Sequence, residues 1–125
     1  MTMVYDAGAL IAADRSQRTI WAEHRARLEL GFVPITTAPV IAQVSRSARQ
    51  PQLRRFLRGC EVVAFTDQDA REVGALAGKA KVSDVVDVHV VLVADRRGFG
   101  VVTSDQSDLK AVVSALGRRI ALIPV

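Results

Sequence analysis

Five aspartates carry the clearest chemical signal in this chain: Asp6, Asp84, Asp87, Asp105 and Asp108. Asp6 interrupts the apolar run VYDAGALIA, where a lone carboxylate is costly to desolvate. Asp87 stands likewise among Val85, Val86, Val88 and Val90. Asp84 precedes Asp87 by three residues and Asp108 follows Asp105 by three, a spacing that puts each pair on one helix face. Each acid also has a purely structural explanation. Asp84 and Asp105 suit helix N-caps, and Asp87 and Asp108 suit first turns, where the helix dipole favours acids. Several acids meeting without neighbouring lysines repel each other unless a cation joins them. Hard oxygen donors suit Mg²⁺ or Mn²⁺, which keep some waters and bind phosphates. The chemistry such a site supports is phosphodiester hydrolysis, the ion polarising the phosphate and activating a bound water.

The elements that must position these acids alternate along the chain. Strands are expected at Thr2–Tyr5, Phe32–Thr36, Glu61–Phe65, Gly100–Thr103 and Arg119–Val125. Helices are expected at Gly8–Ala13, Gln17–Leu30, Ala38–Ser47 and Gln52–Arg58, with Pro39 and Pro51 suited to first turns. Further helices run from Asp67, read as its cap, to about Gly78, and over Asp105–Leu116 up to Gly117. The segment Asp84–Arg97 is ambiguous because its valines favour a strand. Its length, its Ser83–Asp84 start and its Arg96–Arg97–Gly98 end favour a largely buried helix. Strands separated by helices imply a three-layer α/β domain with a parallel central sheet, one domain over residues 1–125. Ligands in such sheets gather at the carboxyl ends of strands, where Asp6 and Asp105 fall.

Composition narrows the function classes. Half of the 125 residues are hydrophobic, which excludes a disordered chain. One cysteine, Cys60, excludes an internal disulfide and paired-cysteine zinc sites, and two histidines exclude a histidine cage. The start MTMVYDAG has no basic n-region and no apolar run is longer than Val90–Ala94, so a cytoplasmic protein is expected, away from membranes. The net charge of +4 is uneven: residues 1–60 carry +5 and residues 61–125 carry −1. Arg46, Arg49, Arg54, Arg55 and Arg58 form a stretch without acids that can neutralise phosphates, although a solvated helix face explains it equally well.

The segments VYDAGALIA (4–12), PVIAQVSR (39–46), SDVVDVHVVLVA (83–94) and VVTSDQSDL (101–109) stand in an order that resembles the PIN-domain endoribonucleases, most closely the VapC-type toxins of VapBC toxin–antitoxin systems. The resemblance spans essentially the whole chain. It implies that Asp6, Asp87 and Asp105 are the catalytic metal ligands, with Asp84 and Asp108 as accessory acids and Thr103 as a hydroxyl holding the pocket. It also implies an RNA substrate, a homodimer and a cognate VapB-type antitoxin whose tail crosses the active site. Two positions depart from the pattern. Gln43 stands where the family usually has a glutamate, and Gly8 where a serine is common. An amide accepts a hydrogen bond but supplies neither charge nor a base.

The remaining chemical residues read as structural. His89 is expected in the core or an interface, because two positions along a helix point about 200° away from Asp87. His24, among charges, is expected to be exposed, and Cys60 to be an inert strand-edge thiol. Ile20, Trp21, Leu28 and Leu30 are expected on the apolar side of their helix, with Trp21 in the core or a dimer or antitoxin contact. Three functions compete. The first is a metal-dependent endoribonuclease toxin. The second is a catalytically weak PIN-like module that grips RNA or protein, with Gln43 its signature. The third, a phospho-accepting signalling domain, lacks the adjacent acidic pair and the later lysine it needs.

Overall fold

The computed structural model describes residues 2–125. In chain order the elements are β1 (Met3–Tyr5), α1 (Ala7–Asp14), α2 (Arg18–Glu29), β2 (Ile35–Thr37), α3 (Ala38–Val44), α4 (Pro51–Leu57), β3 (Glu61–Val63), α5 (Asp67–Ala80), α6 (Val85–Arg97), β4 (Gly100–Thr103), α7 (Gln106–Leu116) and β5 (Leu122–Pro124). The five strands form one parallel sheet in the order β3-β2-β1-β4-β5. Helix α1 packs against α2, α3 and α4, whereas α5, α6 and α7 pack against one another. The two helical groups and the sheet make a three-layer α/β/α architecture.

The core forms where the central strands meet α1 and α6. Val4, Tyr5, Val101 and Val102 are fully buried, as are Ala9, Leu10, Val88, Val90 and Val91. Burial on every side explains why α6 lacks a polar stripe and why its valines imitate a strand. Its ends settle the matter. The Asp84 carboxylate accepts from the Val86 and Asp87 amides, and Gly98 closes the helix at φ 69°.

Several sequence expectations need correction. Helix α5 is capped by Thr66, whose hydroxyl accepts from Asp69 N–H while the Asp69 carboxylate accepts from Thr66 N–H. Asp67 is the first helical residue and pairs with Arg71. His24 is buried, not exposed: it stacks on Phe56 at 4.0 Å, and its Nδ1 lies 2.9 Å from the Tyr5 hydroxyl. A buried phenol needs such a partner, and the i, i+4 spacing of Ile20 and His24 puts both on the inner face of α2. Leu30 lies beyond the last turn of α2 and is 72% exposed, so it does not share that face. Strands β2, β3 and β5 are shorter than expected; Phe32 and Val33 precede β2 and are exposed. His89 is fully buried, and Cys60 is half-buried just before β3 with its thiol pushed up to about 12 by burial. Among the described residues no helix is long and apolar enough to cross a membrane.

Candidate active site

The strand order reverses between β1 and β4, because successive strands add outward on either side of that pair. At such a switch point neighbouring connections diverge and leave a crevice at the carboxyl ends of the strands. A cleft of about 350 Å³ opens there, its walls including Asp6, Gln43, Arg46, Asp84, Asp87, Ser104, Asp105 and Asp108. An adjoining hollow shares Asp84, Asp87 and Asp108 and reaches Lys81 and Ser107. A larger groove of about 530 Å³ lies elsewhere, between Trp21, Leu28 and Arg55. It gathers no acids, so the convergent chemistry belongs to the smaller cleft.

Each acid reaches the cleft by a different route. Asp6 leaves β1 as the N-cap of α1 and is 4% exposed. Its Oδ1 accepts from Ala7 N–H at 2.8 Å and its Oδ2 from the Thr103 hydroxyl at 2.9 Å. Thr103, buried at the end of β4, accepts from Asp105 N–H at 3.0 Å with the same oxygen. One hydroxyl therefore sets the position of two acids from different strands. Asp105 occupies the N-cap position of α7 but caps none of its backbone amides; its carboxylate instead accepts from the Ser107 hydroxyl at 3.3 Å. Asp84 and Asp87 arrive on the first turn of α6, and Asp108 on the first turn of α7.

The electrostatics are those of crowded like charges. Burial pushes the Asp87 carboxyl up to about 7, and the charges of Asp6, Asp84, Asp108 and Asp105 push the same way. Burial also raises Asp6, against the hydrogen bonds from Ala7 and Thr103 that favour its charged form. Asp108 is raised by its hydrogen bond with Asp105 and by that neighbour's charge. None of the five is paired with Lys or Arg within 4.0 Å among the described residues.

Such a donor set fits a hard divalent cation, whose charge would relieve the repulsion. Among the described residues, however, no three His, Cys, Asp or Glu side chains are grouped closely enough to form a ready-made cage. An ion here would be held by few carboxylates and would keep part of its water shell. Asp6, Asp87 and Asp105, with Asp84 and Asp108 beside them, are the residues able to hold it.

The arginines divide. Arg46 lies on the cleft wall, on a loop tied down by Gln50, whose Oε1 accepts from the Arg46 and Ser47 amides while its Nε2 donates to Asp14 and Val44. Arg54 donates to the Ala48 carbonyl, Arg55 lies over the Trp21 ring at 4.8 Å beside the other groove, and Arg49 is exposed on the same loop as Arg46. Two wall residues escaped the sequence reading: Ser104 and, as more than a departure from a pattern, Gly8. Only the intervening position of Ser104 between Thr103 and Asp105 hinted at it.

No family model and no curated protein sequence matches the chain. Solved structures do. FitAB bound to an IR36 DNA fragment superposes with a TM-score of 0.66 at 13% identity, covering 98% of this chain and 94% of that one. PAE2754 from Pyrobaculum aerophilum superposes with a TM-score of 0.63 at 20% identity, covering 94% of this chain and 100% of that one. At these identities the likeness concerns architecture alone, a three-layer α/β fold with an all-parallel central sheet.

Proposed function

We propose that the protein is a Mg²⁺- or Mn²⁺-dependent endoribonuclease, the toxin of a type II toxin–antitoxin pair. The observation that carries this reading is the convergence of five unpaired carboxylates on one cleft at the strand switch point. When bound, the divalent ion would supply Lewis acidity toward a phosphate and a water acidified for attack. The chain's own residues do the rest. Thr103 holds Asp6 and Asp105 in register, and the paired first turns of α6 and α7 present Asp84, Asp87 and Asp108. Arg46 offers a phosphate-neutralising charge at the rim, and the hollow beside Lys81 extends the path a strand of RNA would follow. Arg49 on the same loop and Arg54 and Arg55 on α4 are the further cations the RNA could meet beyond the cleft. The FitAB likeness, a DNA-bound assembly, supports a DNA-binding antitoxin as partner, and a homodimer is part of the same proposal.

The test is cleavage of RNA by the purified protein. We expect cutting that needs Mg²⁺ or Mn²⁺, stops in excess chelator, and falls at least a hundredfold in Asp6→Asn, Asp87→Asn or Asp105→Asn. Equal cutting in excess chelator refutes the metal mechanism. Gln43 favours a second reading. It lies in the cleft wall without charge, as expected for a module that grips RNA but cuts it poorly. Under that reading the acid variants bind RNA as well as wild type or better, and charge reversal at Arg54 and Arg55 abolishes binding.

A further inference from the structure

Gly8 lies in the first turn of α1, in ordinary helical backbone rather than the left-handed region. Conformation therefore does not call for glycine there, and glycine weakens a helix relative to alanine. The reason is a close approach. A Cβ at position 8 would stand 2.2 Å from Ser104 Oγ, 2.6 Å from Ser104 Cβ and 3.0 Å from Ser104 N. The start of α1 and the loop from β4 to α7 thus leave room for one small side chain, and that side chain is Ser104. Its hydroxyl faces the acid cleft. The neighbouring hydroxyls are committed, Thr103 to Asp6 and Ser107 to Asp105, whereas Ser104 is exposed and its hydroxyl bonds to no other side chain or backbone group among the described residues.

Resting on the nuclease reading above, we propose that Ser104 donates a hydrogen bond to a phosphate oxygen of the bound RNA, and that Gly8 is glycine in order to admit it. A phosphate entering this cleft meets five carboxyl groups, which repel it when ionised and then only accept hydrogen bonds. Donors are scarce: Gln43 and Arg46 on one wall, and Ser104 on the wall shared by β1 and β4. A hydroxyl so placed orients the phosphate where the carboxylates cannot.

The experiment moves the hydroxyl across the gap. Wild type, Ser104→Ala, Gly8→Ser/Ser104→Gly and Gly8→Ala/Ser104→Gly are compared in three ways: kcat/KM for a short RNA in Mn²⁺, affinity for that RNA by fluorescence anisotropy in Ca²⁺, and melting temperature. We expect Ser104→Ala to lose about tenfold in kcat/KM and severalfold in affinity, as for a hydrogen bond to a charged group, with an unchanged melting temperature. Gly8→Ser/Ser104→Gly recovers most of the loss and Gly8→Ala/Ser104→Gly does not. Wild-type kinetics in Ser104→Ala overturn the proposal by themselves, even where a double variant fails to fold. So does equal activity of the two double variants. Asp105→Asn keeps the underlying reading separate: if it is inert while Ser104→Ala is fully active, only the role of Ser104 falls. Wild-type protein that does not cut RNA overturns both.

Discussion

Replacing Asp69 with asparagine removes the charge that pins α6 against α5 and keeps the shape. Asp69 is almost fully buried. Its Oδ1 accepts from Arg96 at 2.6 Å, its Oδ2 faces His89 Nε2 at 3.1 Å, and the same carboxylate closes the capping box with Thr66. Arg96 also pairs with Glu72. His89 is held neutral by burial, so Nε2–H donates to Asp69 and Nδ1 is left as a buried acceptor without a partner. The hydrogen bond from Arg96, chiefly, holds the Asp69 carboxyl down at about 2, against an ordinary 3.8. At roughly 1.4 kcal/mol per pKa unit this corresponds to about 2.5 kcal/mol at most. Arg96 is 36% exposed, so solvent screening brings the expected cost of Asp69→Asn nearer 1–2 kcal/mol, on the order of a surface-facing charge pair plus a cap. Because the folded pKa is depressed, this stability is present above the unfolded value and is lost as pH falls through the folded one. Urea unfolding of wild type and Asp69→Asn should therefore differ by a constant amount from pH 5 to 7, the gap closing between about pH 4 and pH 2. A gap below about 0.5 kcal/mol at neutral pH, or one that does not shrink with acid, refutes the electrostatic account.

Thr103→Val preserves the strand-favouring shape while removing the hydroxyl shared by Asp6 and Asp105. A loss of about 2 kcal/mol in chemical denaturation is expected, with cleavage reduced at least tenfold because both acids come loose. Gly59→Ala forces a methyl to within 2.7 Å of His24 Nε2 and 2.9 Å of Leu28 Cδ1. Overpacking of about 1–3 kcal/mol should lower the melting temperature by several degrees without touching RNA cleavage. Cys60, with its thiol at about 12, should react with a disulfide reagent at pH 8 far more slowly than a free thiol does; modification as fast as that of a free thiol would contradict the raised pKa.

The acids were legible in the sequence because each stands at the edge of a strongly patterned element. Asp6 breaks an apolar run, and Asp105 follows β4, whose span over Gly100–Thr103 is what hydrophobic patterning implies. The helical reading of α6 was legible through its caps although its composition argued for a strand. What escaped is tertiary. His24 looked exposed because its sequence neighbours are charged, whereas its partners, Tyr5 and Phe56, come from β1 and α4. Asp69 carried no signal in the sequence, since nothing local reveals that His89 and Arg96 will face it. Gly8 read as a lapse from a pattern, because the approach of Ser104 exists only once β1 and β4 lie side by side.

The bond from Thr103 to Asp6 spans 97 residues. A growing polypeptide therefore holds Asp6 long before it holds anything that could complete the cleft, and the first half of the chain is chemically mute. Competence arrives only when β4 slots beside β1 and brings Asp105 and Asp108 with it. On the proposed reading as a nuclease, this ordering withholds cutting until β4 has been made and has found its place beside β1.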